Sequence, residues 1–87
     1  MADLKERIKE IIKKYGKNEK DTGLPEVQIA ILTEEILNLA EHLKKHRQDK
    51  NSKRGLILKV AKRRKLLKYL KRISFERYKR LVKELNL

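Results

Sequence analysis

The spacing of apolar residues after Pro25 constrains the fold more than any other feature of this sequence. Large aliphatic side chains recur at intervals of three and four residues, at Ile29, Leu32, Ile36, Leu39 and Leu43. This spacing places them on one face of an α-helix, as in helices that pack against each other in bundles. Proline suits the first turn, because its φ is fixed and the N–H that it lacks would have no intrahelical partner there. We therefore predict a bundle helix that begins near Pro25.

Similar apolar spacing predicts three further helices. Helix 1 ends near Gly16, helix 3 runs from residue 50 or 53 to 73, and helix 4 follows Ser74, whose hydroxyl is a favourable N-cap. The expected buried stripes are Leu4, Ile8, Ile11 and Tyr15 in helix 1; Leu56, Val60, Leu67 and Leu70, interrupted by Arg63, in helix 3; and Phe75, Tyr78, Val82 and Leu85 in helix 4.

The fold class predicted from these patterns is all-α. No segment shows sustained alternation of apolar and polar residues, and the three glycines and one proline fall in two loops, at residues 15–25 and 46–55. We expect a single domain over residues 1–87, in which helices 2–4 form an antiparallel three-helix bundle. A turn of about six residues should join helices 2 and 3. Helix 1 is short and basic, and the sequence leaves open whether it docks on the bundle or moves.

Charge is distributed unevenly along the chain. The formal net charge is +13, and residues 44–87 alone carry +15, whereas residues 24–43 carry −4. Such asymmetry is typical of a surface that binds nucleic acid or an acidic membrane. The membrane alternative ranks low, because the leucines of helix 3 fit bundle packing. The absence of cysteine excludes disulfides and thiolate metal sites, and the charged N-terminus lacks the apolar stretch of a signal peptide, so we expect a cytoplasmic protein.

The segment KVAKRRKLLKYLKR, residues 59–72, holds eight lysines and arginines on the face of helix 3 away from its leucines. A merely solvated face usually alternates acids with bases, so phosphate contact is the favoured interpretation. Tyr69 lies inside this segment. Its phenol could stack on a base or sugar, or it could be a residue at the rim of the core.

Two histidines and an aspartate, His42, His46 and Asp49, are spaced so that they would share a face of a continuing helix. This is the spacing of a two-histidine, one-carboxylate metal site, but the neighbouring cations oppose a divalent ion, and we predict neither a metal nor a cofactor. Asp49 is the only acid between Glu41 and Glu76. Either Asp49 or Ser52 is a candidate N-cap of helix 3.

The segment DTG, residues 21–23, is a turn by its chemistry, because its polar side chains bond nearby N–H groups and glycine allows positive φ. It precedes the start of helix 2, where Gln28 lies one turn inside. Exposed N–H groups there could hold a phosphate or a ribose hydroxyl.

Four segments occur in an order and spacing that resemble the bacterial family of small-subunit ribosomal protein fifteen across essentially the whole chain. They are DTGLPEVQIAILTEEI, HLKKHRQDKNSKRGL, VAKRRKLLKYLKR and RYKRLVKEL. The resemblance implies a non-catalytic protein that binds the central domain of small-subunit ribosomal RNA at a three-way junction and at a G·U/G·C step in a minor groove. The implied contacts are Thr22, Gly23, Gln28, Tyr69 and Arg72 at the junction; His42, Asp49 and Ser52 in the groove; and Arg64 and Lys65 on phosphates. His46 is a further predicted RNA-binding residue.

The resemblance also implies partners. These are small-subunit ribosomal RNA, small-subunit proteins that bind later in assembly, and large-subunit RNA at the subunit interface, with a monomer when free. Two departures from the commoner family pattern are Leu24-Pro25 in place of a polar pair and Lys50-Asn51 in place of two histidines. The alternatives are another basic helical nucleic-acid-binding protein and an enzyme that uses the two histidines and the aspartate with a metal.

Overall fold

The computed structural model describes residues 4–15 and 24–87, and the predicted helices are all present. They are α1 (Leu4–Tyr15), α2 (Pro25–Lys45), α3 (Lys50–Ile73) and α4 (Phe75–Leu85). Over these two ranges the chain contains helices and turns but no strand, which confirms the all-α class. The turn between α2 and α3 has four residues, 46–49, rather than the predicted six, because α2 continues to Lys45 beyond its last apolar stripe residue. Gly16, the predicted stop of α1, lies outside the described residues.

The helix starts follow the local signals in the sequence. Pro25 is the first residue of α2. Asp49 caps α3 by accepting a hydrogen bond from the backbone N–H of Ser52 at 3.0 Å, so of the two predicted caps it is the aspartate that serves. Ser74 caps α4 in the same way, through its hydroxyl and the N–H of Arg77 at 3.4 Å, as predicted.

The core lies near the start of α2 and the end of α3. Ile29 of α2, Leu70 of α3 and Leu81 of α4 form one buried cluster, against which residues of α1, α3 and α4 pack. A residue near the start of α2 thus meets a residue near the end of α3, as an antiparallel pair requires. The partly buried members are Tyr15, Leu66, Leu67, Tyr78 and Leu85. Near the 46–49 turn, the side chains of α2 and α3 that are not exposed are half-buried.

One predicted core position is wrong. Phe75, expected in the buried stripe of helix 4, is 54% exposed, whereas Leu81 is buried. The physical reason is its place at the first residue of α4, directly after the chain reverses at Ser74. The buried face of α4 instead follows Tyr78, Leu81 and Leu85, which keep the three-four spacing.

Arg63, which interrupts the apolar stripe of helix 3, has a polar partner in α2 across the interface. The Nη1 of Arg63 donates to the hydroxyl of Thr33 at 3.3 Å, and that hydroxyl donates to the carbonyl of Ile29 at 2.8 Å. The guanidinium therefore reaches into the α2–α3 interface without leaving the threonine oxygen unpaired.

All four carboxylates of α2 form ion pairs with basic residues. Glu26 accepts two hydrogen bonds from Arg77 of α4, at 2.6 and 2.5 Å, and Glu35 accepts one from Lys59 of α3 at 2.9 Å. Glu34 lies 3.5 Å from Arg7 of α1. The remaining pair joins Glu41 to Lys44 within α2. The acidic segment of the sequence is thus the helix on which the three basic helices converge.

Helix α1 is docked on the bundle, which answers the question that the sequence left open. Ile12 is buried, and the hydroxyl of Tyr15 donates to a carboxylate oxygen of Glu84 in α4 at 2.6 Å. Burial raises the pKa of Tyr15 to about 12, and the hydrogen bond to Glu84 adds to the effect. None of the helices in the described ranges is long and apolar enough to span a bilayer.

We expect Leu70→Ala to lower the free energy of unfolding by about 2–5 kcal/mol, because it empties a fully buried site where α2, α3 and α4 meet. Leu58→Ala is the matched control on the same helix, since Leu58 is 61% exposed and should cost no more than about 0.5 kcal/mol. Urea unfolding followed by circular dichroism measures both. Equal losses would contradict this placement of the core.

Candidate RNA interface

Three predicted site residues meet where the α2–α3 turn joins α3. The Nε2 of His42, near the end of α2, lies 2.9 Å from Oδ2 of Asp49. The hydroxyl of Ser52 donates to the same oxygen at 2.8 Å, and the backbone N–H of Ser52 donates to Oδ1 at 3.0 Å. We call these three residues the Asp49 cluster. The four-residue turn makes the cluster possible, because it returns the chain beside the last turns of α2 after only a short excursion.

Asp49 is held in its ionised form by these donors. The backbone N–H of Ser52 makes the largest contribution to lowering its pKa, followed by the hydrogen bonds from His42 and from the Ser52 hydroxyl. The carboxylate is nevertheless partly open to solvent, with 33% of the side chain exposed. It therefore remains charged under all physiological conditions and accessible from outside.

The Asp49 cluster presents acceptors to solvent. A carboxylate has about four acceptor positions. The described hydrogen bonds occupy two on Oδ2 and one on Oδ1, so the unoccupied position is on Oδ1. Nε2 of His42 faces the carboxylate, so in the neutral form of the ring that donates from Nε2, Nδ1 is an acceptor. Such a group suits the exocyclic amine of guanine or a ribose hydroxyl, which can donate in an RNA minor groove.

His46 packs beside this cluster. Its ring lies 4.6 Å from the ring of His42, centroid to centroid, with the planes tilted by 31°. The α-helix ends at Lys45, so the continuous helical face on which a metal site with His42 and Asp49 would depend is not formed. Within residues 4–15 and 24–87, no three His, Cys, Asp or Glu side chains are placed to share a metal ion.

A second group of predicted residues lies near the other end of α3. Tyr69, Lys65 and Arg72 line one shallow depression, together with Lys68. The guanidinium of Arg72 lies 5.7 Å from the centre of the Tyr69 ring, a cation–π contact. Tyr69 is 44% exposed, so a large part of its ring is open to solvent, and its contact with RNA stays a prediction. We call these four residues the Tyr69 group.

Lys68 is one of the eight cations of residues 59–72 that the sequence predicts to contact phosphate, but the sequence alone does not single it out as an individual contact. The sequence spacing already indicates part of this grouping. Lys65 stands four residues before Tyr69, Lys68 one residue before it and Arg72 three residues after it. Side chains three and four positions apart are neighbours on a helix, so Lys65 and Arg72 must flank the phenol. Lys68 is adjacent in sequence, and its place at the depression required the structure.

The remaining predicted contacts are more dispersed. Arg64 is exposed on a different side of α3, beside Ile57 and Val60, and does not join the Tyr69 group. Gln28 is half-buried in the first turns of α2, where its N–H bonds to the carbonyl of Leu24 at 3.1 Å. The predicted contacts Thr22 and Gly23 lie outside the described residues.

The Asp49 cluster and the Tyr69 group are held apart by one uninterrupted helix. Ser52 and Tyr69 both belong to α3, and their separation of 17 residues corresponds to about 26 Å along the axis. Helix α3 packs against both α2 and α4, which helps to hold it in place. The two groups therefore keep a fixed distance, as a protein that binds two features of one rigid partner requires.

Comparison with known proteins gives one consistent family. Residues 8–87 match the family model described as ribosomal protein S15. The chain is 56% identical to small ribosomal subunit protein uS15 of Dictyoglomus thermophilum and 59% identical to that of Carboxydothermus hydrogenoformans. It is 52% identical to the protein of the same name from Mycobacterium bovis. Each match covers the full chain and 98% of the relative.

The hydrogen bonds to Asp49 predict how the protein responds to acid. Because the pKa of Asp49 is lowered, its stabilising effect is fully present above the pKa of a free aspartate, about 3.9, and is lost as the pH falls from there through the lowered value. Asparagine caps a helix comparably but carries no charge. We expect the difference in unfolding free energy between wild type and Asp49→Asn to shrink from about pH 5 to about pH 2 in urea titrations. A constant difference over this range would contradict the assigned bonds.

Proposed function

Since this chain belongs to the ribosomal protein S15 family, we propose that it clamps small-subunit ribosomal RNA at two features, a three-way junction and a nearby minor-groove G·U/G·C step. Membership of the family makes it a structural, non-enzymatic constituent of the small ribosomal subunit in the cytoplasm, as the sequence predicted. The observation that carries the finer proposal is the continuous α3, which holds the Asp49 cluster and the Tyr69 group at a fixed separation.

We assign the minor-groove step to the Asp49 cluster. The wide, shallow minor groove of A-form RNA exposes base edges and 2′-hydroxyls, and guanine adds an exocyclic amine. The cluster offers the complementary acceptors, at Asp49 and at Nδ1 of His42, on side chains fixed by mutual hydrogen bonds. Such preorganisation lowers the entropic cost of recognition, since the side chains are already ordered before RNA binds.

We assign the three-way junction to the Tyr69 group, with Gln28 and the predicted contacts Thr22 and Gly23. Lys65, Lys68 and Arg72 provide cations around an exposed phenol, which matches an RNA surface of phosphates and ribose or base faces. Arg64 extends the positive surface of α3 on another side, as a contact to phosphate alone. Contact with the large subunit, later-binding proteins and a monomeric free state remain predictions from the resemblance.

Substitution of Asp49 separates recognition from helix capping. Asp49→Ala removes both the cap and the acceptors, whereas Asp49→Asn keeps a capping oxygen and replaces the other acceptor by a donor. We expect both variants to weaken binding to the junction RNA with its adjacent G·U/G·C step, by about 5-fold to 150-fold. The alanine variant should lose more stability than the asparagine variant, because it loses the cap as well as the charge.

The binding test uses filter binding or calorimetry with that RNA and with an unrelated duplex of equal length. Affinity for the unrelated duplex should be nearly unchanged in both variants, because phosphate contacts dominate there. If Asp49→Asn bound the junction RNA as tightly as wild type does, the carboxylate would be a helix cap and no more.

Salt dependence tests the role of Arg64. We expect Arg64→Ala to lower affinity for all RNAs and to reduce the slope of log affinity against log salt by about one unit, because one phosphate contact is lost. Lys59→Ala is the matched control on the same helix, since the ammonium of Lys59 is already paired with Glu35 at 2.9 Å. The control should change the slope less. Equal slopes for Arg64→Ala and wild type would remove Arg64 from the phosphate contacts.

A further inference from the structure

An exposed aromatic surface lies at the corner between α3 and α4, outside both groups described above. Phe75 is 54% exposed, and its ring lies 6.1 Å from that of Tyr78, centroid to centroid. The ammonium of Lys71 lies 6.0 Å from the centre of the Phe75 ring and 5.6 Å from that of Tyr78. Lys79 approaches the Phe75 ring to 5.7 Å. We call these four residues the Phe75 patch.

Of the four residues of this patch, Tyr78 packs against the core, whereas the fold makes little use of Phe75 and the two lysines. Phe75 is absent from the buried cluster, where Leu70 and Leu81 fill the space between α3 and α4. Over the described part of the chain, the ion pairs involve neither Lys71 nor Lys79. The patch thus combines an exposed aromatic ring with two cations with which no carboxylate of the described residues pairs.

We propose that the Phe75 patch binds an unpaired nucleotide of RNA, whose base stacks on the Phe75 ring while Lys71 and Lys79 contact its phosphates. Proteins recognise single-stranded RNA by this combination of aromatic side chains and neighbouring cations. A cation–π contact at an exposed site is weaker than the stacking of a base on an aromatic ring. The lysines can therefore leave the ring for phosphate when a base arrives.

The charges of the patch favour RNA over an apolar partner. A protein or lipid that covered Phe75 would also have to neutralise or desolvate the two ammonium groups beside it. A nucleotide satisfies both features, because it carries a flat base and an anionic phosphate. The bases of a continuous duplex are stacked on one another and present no free face, so the ligand must be unpaired.

The position of the patch links it to the rest of the interface. Phe75 follows Arg72 by three residues, so the patch lies at the same end of α3 as the Tyr69 group. An RNA held by the Tyr69 group brings its phosphates to this end of the bundle. The inference rests on the proposed RNA-binding function, but it depends on residues that neither of the two assigned contacts uses.

Fluorescence provides a direct test, because the chain has no tryptophan. We expect Phe75→Trp to keep the stacking surface and to show quenched emission when single-stranded octauridylate is added to the full chain. Inorganic polyphosphate, which has charge but no bases, should cause much less quenching at matched charge. Equal quenching by both polymers, or none by either, would overturn the proposal.

Affinity measurements distinguish stacking on the aromatic ring of Phe75 from contact with any apolar side chain of similar size. Phe75→Leu retains an apolar side chain without a ring, and we expect it to weaken octauridylate binding by about 5-fold to 150-fold. Phe75→Tyr retains the ring and should bind within about twofold of wild type. A leucine variant that binds as well as wild type would contradict stacking. Circular dichroism confirms that each variant is folded.

The proposed clamp and the proposed Phe75 patch can be contradicted independently of each other. Asp49→Ala is expected to weaken binding to the junction RNA and to leave octauridylate binding within about twofold of wild type, because the Asp49 cluster is at the opposite end of α3. If Phe75→Leu left octauridylate binding unchanged while Asp49→Ala still weakened junction binding, the patch would be excluded and the clamp would stand. The reverse result would exclude the clamp and retain the patch.

Discussion

The negative charge of α2 is the constraint on which the rest of this structure depends. Three of its carboxylates pair with basic residues of the other three helices, through Arg7 of α1, Lys59 of α3 and Arg77 of α4. Without this acidic helix at the centre, the basic segments would repel one another in a chain with a net charge of +13. The basic residues thus fall into two populations: those that form ion pairs with carboxylates of the fold, and those that remain exposed and are proposed to bind RNA. Folding and binding thus draw on the same excess of positive charge at different sites.

The helix cap that Asp49 forms and the RNA contact that we propose for it look like alternatives in the sequence. Capping requires an acceptor aimed at the N–H of Ser52, and recognition of an RNA amine requires an acceptor aimed outward. One carboxylate provides both, because its two oxygens have more acceptor positions than the cap alone occupies. The bonds from His42 and Ser52 that stabilise the charge also fix the side chain in one orientation. An aspartate in a basic region is therefore explained by local hydrogen bonding, which outweighs its effect on the net charge.

The sequence predicted the helices well, because three-four spacing and the signals at Pro25 and Ser74 are local. It failed where the outcome depends on how helices meet. It placed Phe75 in the core, since the spacing of apolar residues alone does not reveal that the first residue of the stripe lies beyond the part of α4 that packs on the neighbouring helix. It left Asp49 and Ser52 as equal candidates for the cap, because both are good caps within three residues of each other. The contact between His42 and Asp49 could not be foreseen either, because it is set by a turn two residues shorter than the predicted one.

The unbroken α3 gives the two groups proposed to bind RNA a fixed rotational phase as well as a fixed distance. Each residue of an α-helix advances the direction of its side chain by about 100°. One residue inserted between Ser52 and Tyr69 would turn the Asp49 cluster by that angle relative to the Tyr69 group, while adding only about 1.5 Å to their separation. The two groups would then face different directions, and a single rigid RNA could no longer meet both. Residues in the middle of α3 that touch no RNA are thus constrained in number even where they are free in identity.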